Sequence, residues 1–565
     1  MIRDELARAI ASALAKLGIP DVEVELEHPA DLSHGDYSTN VAMAAARRAQ
    51  LNPKVLAERL VAELGAIDEV EKIEVAGNGF INFYLSRDFY TRATNGVIEK
   101  GDAWGRNESL KGKRIMIDHT QPNPFKPFHI GHLISNATGE SLARILEASG
   151  ASVTKVNYQG DIGLHVAKCL WAIQKEGTDT DDILAIGNAY VTGSKAYEDD
   201  QTAKAEIDAV NKKLYERSDT RLNELYEKGR KTSLKHFDDI YTTLGSAFDR
   251  LYFESETVEL GMKAIERGLM EGILEKSDGA TVFKGESEGL NTRVFVNSAG
   301  IPTYEGKELG LIELKRKEFP FDVALTSTAV EQKNFFEVVT RVAEKLWPEM
   351  KGKYVHIAFG MMLLSTGKMS SRKGNVVTGE SLIDDMRSHT FEKMKERELS
   401  EGEKRDVADI VAVAAIKYAI LKQSRIKNII FGPEASLSFE GDSGPYLQYA
   451  YVRAHAVLRK AADVGIRTET LRGSRESVPG DVSVLERILY RFPEVVLRAR
   501  VEFEPHYITT YLTTLAGAFN SWYANEKIVD ASDPNSPYKV ALTQAFATTM
   551  KNGLWHIGIR APEKM

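Results

Sequence analysis

The 565-residue sequence contains one cysteine, Cys169. A single thiol excludes an intrachain disulfide framework and a cysteine-rich metal site. Long apolar runs are missing too. Stretches such as "IVAVAAI", Ile410 to Ile416, fall far short of the roughly 20 residues that span a bilayer. There is no basic excess, the formal charge being −8. Any affinity for nucleic acid must then come from local clusters such as Arg47 and Arg48, Lys315 to Lys317, Arg372 and Lys373, or Arg459 and Lys460, because phosphate contacts depend on local potential. No internal repeat or low-complexity tract is present. The opening "MIRDELARAIASALAKLG" is an amphipathic helix with Asp4 and Glu5. It has neither the apolar core of a signal peptide nor the acid-poor character of a mitochondrial presequence. These absences lead to the expectation of a cytoplasmic protein with no membrane partner. A hydrophobic content of 43% with 27% charged residues is ordinary for a globular enzyme, and the length implies about two to four domains.

Along the chain, residues 1–108 read as a mixed α/β module. The opening helix leads to an expected strand at "DVEVELE", helices from Val41 and after Pro53, and a hairpin in "KIEVAGNGFINFYLS" around its Gly-Asn-Gly turn. The polar "GDAWGRNESLKGK" reads as a linker. "RIMID" is a short buried strand, followed by the proline-stiffened turn "QPNPFKPFHIGH". A helix comes next, with Leu133, Ala137, Leu142, Ile145 and Leu146 at helical spacing and Gly150 at its end. "SVTKVNYQ" supplies the next strand. Strand, turn, helix, strand is the first unit of a doubly wound nucleotide-binding sheet. A charged helical insertion spans about residues 178–249, after which "TRVFVN", "DVALTST" and "YVHIAFG" are expected to resume the sheet. From Lys404 onward the pattern is helical, with Pro493 and Pro505 marking helix starts. The expected fold class is α/β: a doubly wound Rossmann-type catalytic domain over 109–403, an N-terminal α/β domain over 1–108, and a C-terminal all-α helical bundle over 404–565.

The chemistry lies in two stretches. His129 and His132 sit three positions apart in the first turn of a helix, at the end where backbone N–H groups attract anions. Gly131 between them lets a flat ring approach the backbone, and Pro122, Pro124 and Pro127 fix the incoming chain. Two imidazole donors on a rigid frame can stabilise charge growing on the α-phosphate of ATP. "LLSTGKMSSRKGNVV", Leu363 to Val377, carries Lys368, Ser370, Ser371, Arg372 and Lys373 between glycines. Cations on such a loop can close over a leaving pyrophosphate.

His129-Ile130-Gly131-His132 followed by Lys368-Met369-Ser370-Ser371 resembles the signature pair of class I aminoacyl-tRNA synthetases. More closely, the chain resembles arginyl-tRNA synthetases across nearly its whole length. "HGDYSTNVAMAAA" and "GNGFINFYL" are similar to that family's N-terminal domain. "PNPFKPFHIGHL" and "NYQGDIGLH" are similar to its catalytic core. "DSGPYLQYAYVRAHAVLRK" and the closing "GIRAPEKM" are similar to its anticodon-binding domain.

The resemblance implies an arginine–tRNA ligase using ATP with Mg2+ and partnered by tRNA(Arg) and L-arginine. It implies activation that often requires bound tRNA, with no protein-held metal and a monomer. ATP is expected at His129, Gly131, His132, Lys368, Ser370 and Ser371. The second lysine of the loop signature is Ser371 here, and in such family members a lysine often precedes the histidine motif. Lys126 stands there, so Lys126 and Lys368 join His129 and His132 as catalytic groups. Arginine, a planar forked cation, calls for desolvated carboxylates. Asp118 at the end of "RIMID" and Glu308, four residues after Tyr304, supply them. Gln121, Asn123, His129 and Tyr304 complete the expected substrate set, with Glu331 and Gln332 as weaker candidates. The family usually has glutamate at position 118 and aspartate at 308, so both departures keep the charge and change the reach. Tyr446, Tyr449 and Arg453 match tRNA-contacting positions of the family, and Asn82 matches one that meets the D-loop. Three rivals stand beside this reading. One is a class I synthetase for another amino acid, another a non-catalytic synthetase-like tRNA-binding protein, and the third a small nucleotidyltransferase, which would not need the two flanking domains.

Overall fold

The structure, a computed structural model, describes residues 1–365, 378–466 and 481–565. It divides into two compact units. One comprises Met1–Trp104, Arg453–Phe492 and Thr514–Thr549, the other Gly105–Val452, Pro493–Thr513 and Met550–Met565.

In the first unit the opening helix runs Ile2–Lys16 and turns Leu6, Ile10 and Leu14 into the core. Pro53 occupies the first turn of the helix Pro53–Leu64, whose Asn52 cap accepts from Lys54 N–H. The hairpin forms as read, Val70–Ala76 against Phe80–Leu85. Its third strand is Tyr37–Thr39, not "DVEVELE". That segment makes a lone bridge, Glu27 to Ser38, because residues before it find no neighbouring strand to satisfy their backbone groups.

The second unit is built on five parallel strands in the spatial order Tyr354–Phe359, Val323–Ala329, Arg114–Asp118, Ser152–Gln159, Arg250–Phe253. The chain starts in the centre, runs outward on one side, then returns to the other. The resulting switch point lies between Arg114–Asp118 and Val323–Ala329, where open α/β sheets bind ligands. Ile115 and Ile117 pack with Leu142 and Leu146 of the helix Ile130–Ala148 on one face. Met116 points the other way, into a cluster with Leu309 and Ile312, as strand alternation requires. "TRVFVN" does not join this sheet. Arg293–Val296 is the edge of a separate antiparallel three-stranded sheet with Glu275–Ser277 and Ala280–Phe283. The outer strand Arg250–Phe253 was illegible because four residues are too few for periodicity to register. The insertion is helical as expected: Ile183–Asp199, Gln201–Glu216 and Thr220–Leu244.

Helix Glu401–Leu421 is buried at nearly every position from Val411 onward. Its Lys417 is satisfied inside the protein by the carbonyls of Leu244 and Gly558, at 2.6 and 2.8 Å. Among the described residues no helix is long and apolar enough to cross a membrane.

Candidate active site

The strand Arg114–Asp118 ends in a turn that no relaxed backbone would make. Thr120, Gln121 and Phe125 have φ of +79°, +54° and +66°, and for a β-branched threonine this is a true outlier. The strain is held by its surroundings. Thr120 N–H donates to Ser135 Oγ at 2.8 Å, its hydroxyl meets His119 Nδ1 at 2.9 Å, and Asn136 Nδ2 donates to it at 3.0 Å. Gln121 N–H and Phe125 N–H donate to Asn157 Oδ1 and Ser233 Oγ. Such over-determined strain is typical of a working site.

The turn delivers His129 to the cap position of the helix Ile130–Ala148. The rings of His129 and His132 stack with centroids 3.5 Å apart. His129 N–H donates to His132 Nδ1 at 3.1 Å. Burial, and then His129 and Lys126, hold His132 well below the ordinary imidazole value, and desolvation with Lys126 lowers His129 too. Both rings are therefore neutral near pH 7. With Nδ1 accepting, the proton of His132 resides on Nε2, which makes that atom a donor. A Cβ on Gly131 would stand 3.0 Å from the His129 ring, so any other residue would push that ring by a few tenths of an ångström.

A cleft of about 550 Å³ opens at the switch point, bounded by Gln121, Asn123, His129, Gly131 and His132 on one side and by Ser327, Thr328 and Ala329 on the other. Five expected residues thus meet in one cavity, joined by Tyr304 and Glu308 from the helix Tyr304–Glu318. Asn123 Oδ1 accepts from Gly160 N–H at 2.9 Å, which leaves its amide NH2 as the donor. Tyr304 is 65% exposed. Glu308 is buried, accepts from Tyr354 Oη at 2.6 Å, and is raised by burial to about 7.

Asp118 does not line the cleft among the described residues. It is buried and engaged by Lys315 Nζ at 2.6 Å, Gln121 Nε2 at 3.0 Å and Tyr158 N–H at 3.2 Å. Lys315, read from the sequence as part of a surface cluster, is fully buried. Its position seven residues after Glu308, two turns along the same helix face, was the overlooked signal. Glu254, held by Lys307 at 2.6 Å, and Glu305, held by Arg293 at 3.3 Å, also border the cleft. So does Gln332, one of the two weaker candidates, while Glu331 is not in the lining; Phe335, Phe336 and Phe359 add a wall with no sequence signature beyond scattered aromatics. Lys126 is half-buried, 5.5 Å from the Tyr190 ring centroid.

Lys368, Ser370, Ser371, Arg372 and Lys373 lie outside the described residues. The chain that follows them returns beside the histidines: Thr378 bridges His129, and Gly379 N–H donates to Phe128 O at 2.7 Å. In the helix Gly444–Asp463, Tyr446 is half-buried, and Tyr449 borders a small cavity with Lys393, Arg397, Phe439 and Met565. Arg453, in the other compact unit, donates to Asn520 Oδ1 and lies 5.1 Å from the Tyr523 ring centroid. Asn82 is buried and accepts from Ser38 Oγ at 2.7 Å, while Phe80 beside the hairpin turn is exposed.

The parallel sheet with its histidine pair at the switch point belongs to a class I tRNA synthetase catalytic core. The family model described as tRNA synthetases class I (R), catalytic domain, matches residues 95–432, with the DALR anticodon binding domain at 447–565 and the arginyl-tRNA synthetase N-terminal domain at 4–85. The chain belongs to the arginyl-tRNA synthetase family. It is similar to the arginine–tRNA ligase of Borrelia hermsii, 30% identical over 100% of this chain and 99% of that one. The arginine–tRNA ligase of Treponema denticola is 31% identical over 94% and 93%. Among solved structures, Thermus thermophilus arginyl-tRNA synthetase superposes with a TM-score of 0.80 at 26% identity, covering 100% of both chains.

Proposed function

We propose that this protein attaches L-arginine to tRNA(Arg) through an arginyl-adenylate. In the first step a carboxylate oxygen of arginine attacks the α-phosphorus of ATP, the bond to the β-phosphate oxygen breaks, and pyrophosphate leaves. In the second, a terminal ribose hydroxyl of tRNA attacks the acyl carbon, AMP departs, and the hydroxyl proton passes to the released phosphate. His132, donating through Nε2, and His129 stabilise charge on the α-phosphate without proton transfer. Lys126 and Lys368 neutralise the pyrophosphate side. Asn123 orients the amino acid through its amide NH2, and Glu308 takes the guanidinium with Tyr304 beside it. Mg2+ would arrive on the triphosphate and offset its charge.

The observation that carries this reading is the cleft itself. Its volume of about 550 Å³ suits a nucleotide and an amino acid together, within the roughly 300–1,000 Å³ of small-molecule sites. It joins neutral imidazole donors to a buried acid that has no ion-pair partner among the described residues. Tyr446, Tyr449 and Arg453 are read as anticodon contacts and Asn82 as a D-loop contact, on a monomer acting in the cytoplasm. The working division is tRNA contact at 1–108, catalysis at 109–403 and anticodon binding at 404–565. Exchange of labelled pyrophosphate into ATP, measured for each amino acid with and without tRNA, tests the proposal. Arginine alone is expected to support exchange, and to need tRNA. Exchange with another amino acid, or with none, overturns it.

A further inference from the structure

Three acids border the cleft, Glu254, Glu305 and Glu308, with Asp118 buried outside its lining, and among the described residues only Glu308 has no ion-pair partner. Asp118 meets Lys315 Nζ at 2.6 Å, with both side chains 1% exposed, and Glu254 meets Lys307 Nζ at 2.6 Å. Glu308 has no ion-pair partner among the described residues and holds a hydrogen bond instead. Tyr354 Oη donates to its Oε1 at 2.6 Å and accepts from Thr326 Oγ1 at 3.2 Å. The Lys315 ammonium lies 5.7 Å from the Tyr354 ring centroid, so the two acids and their holders form one connected block. Helix Tyr304–Glu318 supplies Glu308 and Lys315, and the strands Arg114–Asp118 and Tyr354–Phe359 supply Asp118 and Tyr354.

An unpaired charge is costly to bury, and a paired one has little left to offer a ligand. An incoming guanidinium therefore gains most from the acid that remains uncompensated. We infer that Lys315 and Tyr354 are positioning residues for amino-acid selection: Lys315 removes Asp118 from the guanidinium site by pairing with it, and Tyr354 fixes one oxygen of Glu308, so that Glu308 alone receives the charged end of the substrate. This rests on the reading of the cleft as the arginine site. It also gives the shorter acid at position 118 a role. Asp118 is an internal counter-ion, and the longer Glu308 reaches the substrate.

Three variants test this, measured by aminoacylation kinetics on the full chain with thermal unfolding as a check of folding. Glu308→Gln is expected to raise the KM for arginine at least about 100-fold, the cost of leaving a charged partner without its counter-charge. The double variant Asp118→Asn with Lys315→Met replaces the internal pair by two neutral groups and is expected to raise that KM less than about threefold, because neither member touches the substrate. Tyr354→Phe is expected to raise it about tenfold, the loss of one hydrogen bond to a charged group, with kcat and the KM for ATP held. It also moves the acid limb of kcat/KM for arginine to higher pH, since the lost hydrogen bond favoured the carboxylate. A purely structural role for Tyr354 would shift the unfolding temperature and leave that limb in place. A double variant as impaired as Glu308→Gln would return Asp118 to the guanidinium site and overturn the inference, as would an unmoved acid limb in Tyr354→Phe. If the unsubstituted protein charges no tRNA with arginine, the reading of the cleft fails first, and the inference falls with it.

Discussion

His129 hands its backbone N–H to the Nδ1 atom of His132 and lays its own ring over that imidazole, at 3.1 Å and 3.5 Å respectively. The relationship fixes a tautomer: one nitrogen is occupied as an acceptor, so the other carries the proton and becomes a donor. His132→Ala is expected to lower kcat of pyrophosphate exchange about 100- to 1,000-fold, the usual loss when one preorganised donor is removed. The KM for arginine should stay within a factor of a few. A collapse of arginine affinity with intact kcat would assign the ring to substrate binding.

Gly131 leaves room for the His129 ring, since a Cβ there would lie 3.0 Å from it. Gly131→Ala should displace that ring by a few tenths of an ångström and reduce kcat about 10- to 100-fold, in line with the sensitivity of catalysis to small misplacements. Thermal stability should change little. Unaltered kcat would show that the stack is incidental.

Glu308 gives the site a pH signature. Burial raises it to about 7 against the opposing pull of Lys315 on its own helix and Tyr354 on the neighbouring strand, with Asp118 and Glu254 raising it further and Tyr158 also facing it. On the proposed reading the guanidinium binds the carboxylate form, so kcat/KM for arginine should fall tenfold per pH unit below about 7. The folded value lies above 4.5, so protonation favours the fold. This group's contribution to stability declines as pH rises from about 4.5 to about 7 and is level above that. Glu308→Gln should consequently be more stable than the unsubstituted protein at pH 8, by on the order of 3 kcal/mol and with a higher unfolding temperature, the gap closing toward pH 5. Equal unfolding temperatures at pH 8 would contradict the buried, destabilised carboxylate.

Lys315→Met by itself leaves the Asp118 carboxylate buried without its cation. The expected loss is about 3–5 kcal/mol of stability, most of it recovered when Asp118→Asn is added. Urea unfolding of the two variants separates this coupling from independent effects, and additive losses would deny it.

Tyr449 borders its cavity together with Lys393 and Arg397. Tyr449→Ala should raise the KM for tRNA about tenfold, within the range for one lost base–aromatic stack, and leave the KM for arginine unchanged. A tRNA KM that does not move would make this ring a packing residue of its helix instead.

The chain order already carries the strand Arg114–Asp118, the histidine turn and the helix after it, because strand alternation, prolines and helical spacing are local signals. It also carries the acid at 308 and the tyrosine four residues before it, since a helix brings such pairs to one face. Tertiary structure decided which acid has an ion-pair partner among the described residues. Asp118 and Glu308 look equivalent in sequence, and Lys315 reads as surface charge. The sheet register and the packing of helix Tyr304–Glu318 on it bury Lys315 against Asp118 and set Tyr354 under Glu308. Protonation, pairing and desolvation depend on what lies across the fold rather than along the chain, so those assignments could come only from three dimensions.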